Sequence, residues 1–423
     1  MLKKILSRDN LYPPIELFKE IEDKDLYKKW ESFIKKNIDN KIWLYIHIPF
    51  CLTKCTFCHC KSFSWNDDNI KSYINSLKQE ILIFSKILWN RKISNIYFWW
   101  WTPSILSEEE LESFLNFLFE KIKFINNVPF CFEAMPETLN CKKIDILKKY
   151  WVNRLSLWVQ TLDDKVLKNI NRFQSKEQLK NIVLYAKNNI KYLNLDLVCW
   201  LEWETLDSFK KWLNFILDLN PDIIHIYRFN PSDTTLFIQS WKKYTKENRE
   251  NREKMYNYAI KKILGTWRKK LKNDDYWFNL QARNISIVER IEDASSNIWI
   301  WYSARWNIFW ELSYINSWFL DKKFANISKY ISYNYNINEE KRRYVIQNII
   351  EWLDLEKYYK IFNSDVLKDF AKEFYIITKK YWNNSLISYN KWIKINLEEI
   401  PNYFFNVIFY SNDILKKIKN EIW

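Results

Sequence analysis

Four of the seven cysteines fall within ten consecutive residues, as Cys51-Leu-Thr-Lys-Cys55-Thr-Phe-Cys58-His-Cys60. Thiols this close on one short loop can form a disulfide or hold a metal. The opening MLKKILSRDNLYPPIE has too short an apolar stretch for a signal peptide, so a reducing compartment and metal binding are the better reading. A tetrahedral zinc site wants four ligands, commonly from two separated Cys-x-x-Cys pairs, and the sequence has no second pair. The remaining cysteines, Cys131, Cys141 and Cys199, stand alone and read as buried free thiols. His47 and His225 lie inside strand patterns and read as core histidines, whereas His59 sits within the cysteine loop itself.

The elements that must position this loop are legible from residue 42 onward. Short β-branched or aromatic runs alternate with amphipathic helices, the pattern of a parallel α/β fold. Strands are expected at 44–50, 95–98, 129–135, 154–160, 193–199 and 223–229, and six strands with their crossovers resemble an open, partial barrel. Between the first two, Ile70, Tyr73, Ile74, Leu77, Ile81, Phe84 and Leu88 recur at helical spacing and define a core-facing stripe. Ser107 followed by Glu110 reads as a capping box opening a helix whose Leu111, Phe114, Leu115 and Leu118 face inward. After Asn230-Pro231 the alternation stops, and SDTTLFIQSWKKYTKENRENREK reads as a polar connection entering a helix. The expected organisation is an N-terminal extension (1–41), a barrel domain (42–232) and a smaller, mainly helical C-terminal domain (233–423).

Composition narrows the class. The chain has 423 residues, 48% hydrophobic and 28% charged, with no apolar run long enough for a membrane span, and it reads as a cytoplasmic protein. The net charge of +15 is scattered among Asn, Ile, Tyr and Phe rather than gathered into a stripe, which argues against nucleic acid and leaves anionic small molecules open. The outlying numbers are one glycine, Gly265, and 24 tryptophans. Average usage of about 7% glycine predicts roughly 30 in a chain of this length, and a mixed fold needs them for left-handed turns and helix C-caps. Most of the tryptophans are therefore expected to be glycines, encoded by UGA in a lineage that reads it as glycine. Trp99, Trp100 and Trp101, after a strand and before Thr102-Pro103, are the clearest case.

Cys-x₃-Cys-x₂-Cys just after a first strand resembles the signature of the radical S-adenosylmethionine (SAM) superfamily. The resemblance implies a [4Fe–4S] cluster on Cys51, Cys55 and Cys58 with its fourth iron open, where Cys₄ ligation would close all four. In that superfamily the amino and carboxylate groups of SAM chelate the open iron, and one-electron reduction yields methionine and a 5′-deoxyadenosyl radical. YIHIPFC at 45–51 resembles more closely the oxygen-independent coproporphyrinogen oxidase family, which includes related haem chaperones and haem-degrading enzymes. Read with glycine for tryptophan, matches run through most of 43–232 and reappear at 299–316.

The resemblance also implies site residues. IYFWWWTPSILS (96–107) is similar to a strand followed by Gly-Gly-Gly-Thr-Pro, which assigns Trp100, Trp101 and Thr102 to the SAM amino group. Glu133 matches an acid that contacts SAM, and Gln160 and Arg172 match polar groups near the ribose and carboxylate. Asp196 matches the acid beside the ribose, while Tyr45 and Phe57 match aromatics lining the cluster and adenine. Cys60 and WIWYSARWNIFW (299–310), similar to a Gly-x-Gly-x-Ser-Ala segment, favour the oxidase branch. Against it, Tyr12-Pro13-Pro14 stands where the oxidases carry Tyr-Pro-Thr. The oxidase reading implies that a hydrogen leaves a propionate β-carbon and that loss of CO₂ and one electron leaves a vinyl group. Its substrate would be an anionic tetrapyrrole, with reduced flavodoxin or ferredoxin as electron donor; the alternative is a haem chaperone or another tetrapyrrole radical protein.

Overall fold

The computed structural model describes residues 12–37, 39–59, 63–64, 66–270, 275–277, 280–300, 305–316, 330–334, 336–350, 352–381, 386–395 and 408–422. The side chains of Trp99, Trp100 and Trp101, and the whole of Cys60 and 301–304, lie outside the described residues. The chain forms two compact units, Leu44–Ile285 and Met1–Trp43 with Ser286–Trp423. No helix among the described residues is long and apolar enough to cross a membrane.

The first unit is a parallel sheet with helical crossovers. Its strands are β1 (Ile42–Ile48), β2 (Ile96–Trp101), β3 (Phe130–Ala134), β4 (Arg154–Gln160), β5 (Tyr192–Cys199) and β6 (Ile223–Arg228). They pair in chain order, all parallel, as strands joined by helical crossovers do. An antiparallel strand, Asp275–Trp277, closes on β6. The main crossover helices are α1 (Asp67–Leu88), α2 (Glu108–Lys121), α3 (Cys141–Lys149), α4 (Lys176–Asn189) and α5 (Leu206–Asp218), with α6 (Lys246–Leu264) following β6. The apolar stripe of α1 is buried throughout, and the Ser107–Glu110 capping box opens α2. One face of the sheet is apolar: Phe98, Phe132, Leu155, Leu157, Leu195 and Leu197 are buried. The alternate positions, Tyr45, Tyr97, Glu133, Ser156 and Asp196, are also buried but polar.

The second unit opens with antiparallel strands that the sequence reading did not expect. Ser296–Ile300, Arg305–Ile308, Leu312–Asn316 and Tyr330–Asn334 pair in turn, and Lys19–Ile21 adds to the last. Beyond them come helices, including Ile337–Asn348 and Leu355–Phe362, and a small sheet of Leu353–Asp354, Trp392–Ile395 and Leu386–Tyr389. Tyr12 is buried here, edge-on to Tyr410 at 5.0 Å, and its hydroxyl donates to Glu339.

Backbone conformation separates two kinds of tryptophan. Trp89, Trp151, Trp200, Trp203, Trp241, Trp267 and Trp310 hold φ between 52° and 73°, and most other left-handed residues are asparagine. A left-handed backbone costs an L-residue roughly 1–2 kcal/mol, which glycine escapes. Trp151 shows why the fold demands it. Its N–H donates to Lys148 O (3.0 Å) and the Val152 N–H to Leu147 O (2.9 Å), a Schellman closure of α3 with tryptophan in the position glycine usually takes. Trp241 and Trp267 are 94% and 91% exposed, so their indoles bury nothing in return. Trp30 and Trp212 differ: both are buried and donate their indole N–H, to Tyr314 (2.7 Å) and Glu204 (3.0 Å).

At Trp151, replacement by glycine should give a more stable protein than replacement by alanine, by about 1 kcal/mol. At an ordinary right-handed helical site alanine would win instead. Urea denaturation of the two variants compares them directly, and an advantage for alanine would contradict the left-handed assignment.

Candidate functional site

Cys51 ends the short strand Phe50–Cys51 that follows β1, and Cys55 and Cys58 lie on the loop after it. This loop is held from two sides. The residues before Arg172 grip it through the Asn171 amide to Lys54 O (2.9 Å), Thr53 Oγ1 to Asn171 O (2.8 Å) and Thr56 N–H to Ile170 O (3.4 Å). The segment after β6 grips the other edge, through Phe237 N–H to Thr56 O (2.9 Å) and His59 Nδ1 with Ser232 Oγ (2.8 Å). Two backbone features shape the loop: Asn171 is left-handed, and the N–H of Cys58 turns back to Cys55 O (3.1 Å).

The three thiols sit close enough to perturb one another. Burial pushes the Cys51 thiol far above its usual range, with Thr102 Oγ1 3.3 Å away opposing it and the neighbouring Cys55 and Cys58 adding to it. Burial pushes the Cys55 thiol up to about 11, against the pull of the Arg172 guanidinium, which donates a hydrogen bond to that sulfur. Thiols so reluctant to ionise become thiolates when a metal centre replaces the proton. Among the described residues, no three His, Cys, Asp or Glu side chains close on a single ion. Three thiols on one loop match in number the donors that leave one iron of a [4Fe–4S] cluster open.

The other expected residues take the following places. Thr102 is fully buried after β2, with its N–H on Phe50 O (3.2 Å) and its hydroxyl 2.8 Å from Met135 Sδ. The backbone of Trp100 and Trp101 forms the end of β2. Glu133 accepts from the Tyr97 hydroxyl (2.6 Å), and Asp196 from Ser156 (3.1 Å) and the Asn194 amide (3.0 Å). Gln160 ends β4 with φ 66°, and its buried Oε1 accepts no hydrogen bond from the described residues. Tyr45 is buried, its hydroxyl 3.0 Å from His47 Nδ1, and Phe57 is half-buried on the cysteine loop. Arg172 faces the protein: it binds Glu137 through two nitrogens (2.6 and 3.0 Å) and donates to Trp158 O and Gln174 at 2.5 Å.

His47 is a core histidine, held neutral because burial pulls its pKa well below the usual value. His225 is half-buried and stacks on Tyr227 at 3.8 Å. Cys131 and Cys199 are buried, but Cys141 is exposed because it opens α3, where the helix meets solvent. Sequence reasoning missed Glu137, Lys143, Asn171 and Glu204. None carries a periodic signal, and each acts on a partner distant in the chain.

A family model described as the radical SAM superfamily matches residues 45–216. The haem chaperone HemW of Buchnera aphidicola is 30% identical over 46% of this chain and 52% of its own length. The oxygen-independent coproporphyrinogen III oxidase of Escherichia coli is 28% identical over 44% of this chain and 41% of its own. The chain therefore spans about half the length of the relatives it matches in sequence. In fold it follows a solved E. coli coproporphyrinogen III oxidase, with TM-score 0.78 at 18% identity, over 96% of this chain and 98% of that one.

Glu204 offers a pH test of how the strand ends are joined. Its buried carboxyl accepts from Thr161 Oγ1 (2.8 Å), Leu201 N–H (3.2 Å) and the Trp212 indole, tying the loop after β4 to the loop after β5. Burial pushes it up from 4.5 to about 7, opposed by those donors. Between these values the folded state holds a proton that the unfolded state has released, so stability falls as pH rises through that window. Glu204→Gln should remove a fall on the order of 2–3 kcal/mol between pH 5 and 8. Urea midpoints that decline equally in both proteins would place the titration elsewhere.

Proposed function

A chain with this domain and these relatives belongs to the radical SAM superfamily, and from that premise we propose that it is an oxidoreductase acting on coproporphyrinogen III. The observation that carries the chemistry is the braced three-thiol loop, with Thr102 on the Cys51 sulfur and Arg172 on that of Cys55. Cys51, Cys55 and Cys58 would hold a [4Fe–4S] cluster, which when bound supplies one electron to cleave SAM. Arg172 holds the Cys55 sulfur and favours its thiolate by donating to it, and Thr102 Oγ1 packs 3.3 Å from the Cys51 sulfur.

The remaining residues would seat SAM. Backbone groups at 100–102 take its amino end, with Glu133 beside them and Asp196 at the ribose. Gln160 brings a buried acceptor that the protein leaves for a ligand donor. A turn that lets backbone approach a ligand to about 3 Å leaves no space for an indole, so the native chain carries glycine at 99–101 on this reading. The substrate half of the reading rests on Cys60 and the 299–310 segment. A reduced flavodoxin or ferredoxin would donate the electron. The second reading, a haem chaperone, is favoured by the similarity to HemW.

Anaerobically reconstituted protein should bind about four irons and bleach with dithionite, and replacing Cys51, Cys55 and Cys58 together by Ala should abolish this while Cys60→Ala does not. A cluster that survives the triple replacement would refute the ligand assignment. With reductant and SAM the protein should form 5′-deoxyadenosine, and coproporphyrinogen III should raise that yield and release CO₂. Tight haem binding without CO₂ release would favour the chaperone. Peptide mass spectrometry of the native protein reads positions 99–101 directly, and tryptophan there in an active enzyme would overturn the glycine assignment.

A further inference from the structure

Lys143, on the first turn of α3, is a buried lysine whose direct partners are carbonyl oxygens. Its ammonium donates to Ser104 O (2.8 Å) in the loop after β2 and to Thr138 O (2.8 Å) in the turn after β3. The residue is only 8% exposed, and lysine is rarely buried unless its donors are satisfied. The Asn140 side chain, capping α3 through the Lys143 N–H at 2.9 Å, fixes where the lysine starts.

The two loops it joins are also linked directly. Ser104 Oγ lies 2.6 Å from Thr138 Oγ1 and accepts from the Met135 N–H at 3.1 Å. Met135 Sδ in turn meets the Thr102 hydroxyl, which is 3.3 Å from Cys51 Sγ. A continuous path therefore runs from Lys143 through both loops to the cysteine nearest Thr102. Removing the ammonium would leave a buried carbonyl and a half-buried one without their charged donor and let the loops separate.

We propose that Lys143 is a positioning residue for SAM: it fixes the spacing between the loop after β2, which carries Thr102, and the loop that directly follows Glu133 at the end of β3, and so sets where these two residues meet the amino-acid end of the cofactor. This rests on the reading of 100–102 and Glu133 as the SAM seat. Lys143 touches no reacting atom. It acts as supporting residues do around a metal site, where their loss typically costs 10–100-fold in affinity.

The test uses the full chain with its cluster reconstituted and unreduced, and measures SAM binding by equilibrium dialysis. Lys143→Met should weaken SAM binding about 10–100-fold with iron content unchanged, and Lys143→Arg should recover part of the loss. Lys142→Met, on the exposed neighbour, should bind as the parent does. In cluster-free protein, hydrogen exchange should quicken in segments 102–106 and 135–139 of Lys143→Met and nowhere else in the sheet. Parent-like SAM affinity in Lys143→Met overturns the positioning role alone, and so does loss of the cluster together with SAM, which would mark a general structural part. Should Lys143→Met fail to fold, Lys143→Gln keeps most of the side-chain length and removes the charge: weakened SAM binding with full iron content supports the role, and unchanged binding overturns it. A parent protein that holds its cluster but binds no SAM overturns the cofactor reading, and the positioning role with it.

Discussion

Burying carboxylates on one face of a parallel sheet is the constraint on which the Leu44–Ile285 unit depends. A charge or amide removed from water costs several kcal/mol unless hydrogen bonds replace the lost hydration. Glu133 and Asp196 meet that condition across neighbouring strands, through Tyr97 on β2 and through Ser156 and Asn194 on β4 and β5. These bonds require the strands to be in register, because a slip of one residue would turn each acid into the apolar helical layer. The polar face thereby fixes the sheet as firmly as the apolar face does. It also leaves oxygen acceptors and hydroxyls on the side where a polar ligand can be bound.

That pattern explains why so much was legible in the sequence. All six expected strands occur within a few residues of their predicted bounds, because buried parallel strands need β-branched and aromatic runs separated by helical stripes. The cysteine loop was legible for a simpler reason, since its three thiols are local in sequence. Pairings between distant residues were not. Glu137 and Arg172 are 35 residues apart and Lys143 and Ser104 are 39 apart, and no periodicity announces either contact. Nor did the sequence announce the antiparallel strands of the second unit, whose Tyr- and Asn-rich segments mix polar and apolar residues without clean alternation.

The tryptophans show local and global information in conflict. Composition alone shows how little glycine there is, but it does not say where the backbone would use more. Backbone conformation marks such positions: Trp89 follows α1, Trp151 closes α3, and Trp200 and Trp203 bend the chain after β5, all with positive φ. A residue type among the least suited to left-handed backbone is concentrated where the fold most needs glycine. Trp30, with its indole bonded in the core, obeys the opposite rule. One residue type thus occupies two incompatible roles, and the division falls along backbone geometry rather than burial, since Trp200 is left-handed and buried.

The short turn Pro136–Thr138 is where these threads meet. Glu137 holds Arg172, which reaches the Cys55 sulfur, while Thr138 joins Ser104 and Lys143, and the preceding Met135 contacts Thr102 beside Cys51. Two of the three thiols are therefore referenced to one turn by independent routes, one ionic and one through neutral hydrogen bonds. The Arg172–Glu137 pair is buried, so removing either partner would strand a charge, whereas the neutral route can yield with little desolvation. A displacement of this turn would move the sulfurs and the loop after β2 together. The turn thus adds two indirect ties to the direct one, the Thr102 N–H to Phe50 O bond, that already joins the cysteine segment to the end of β2.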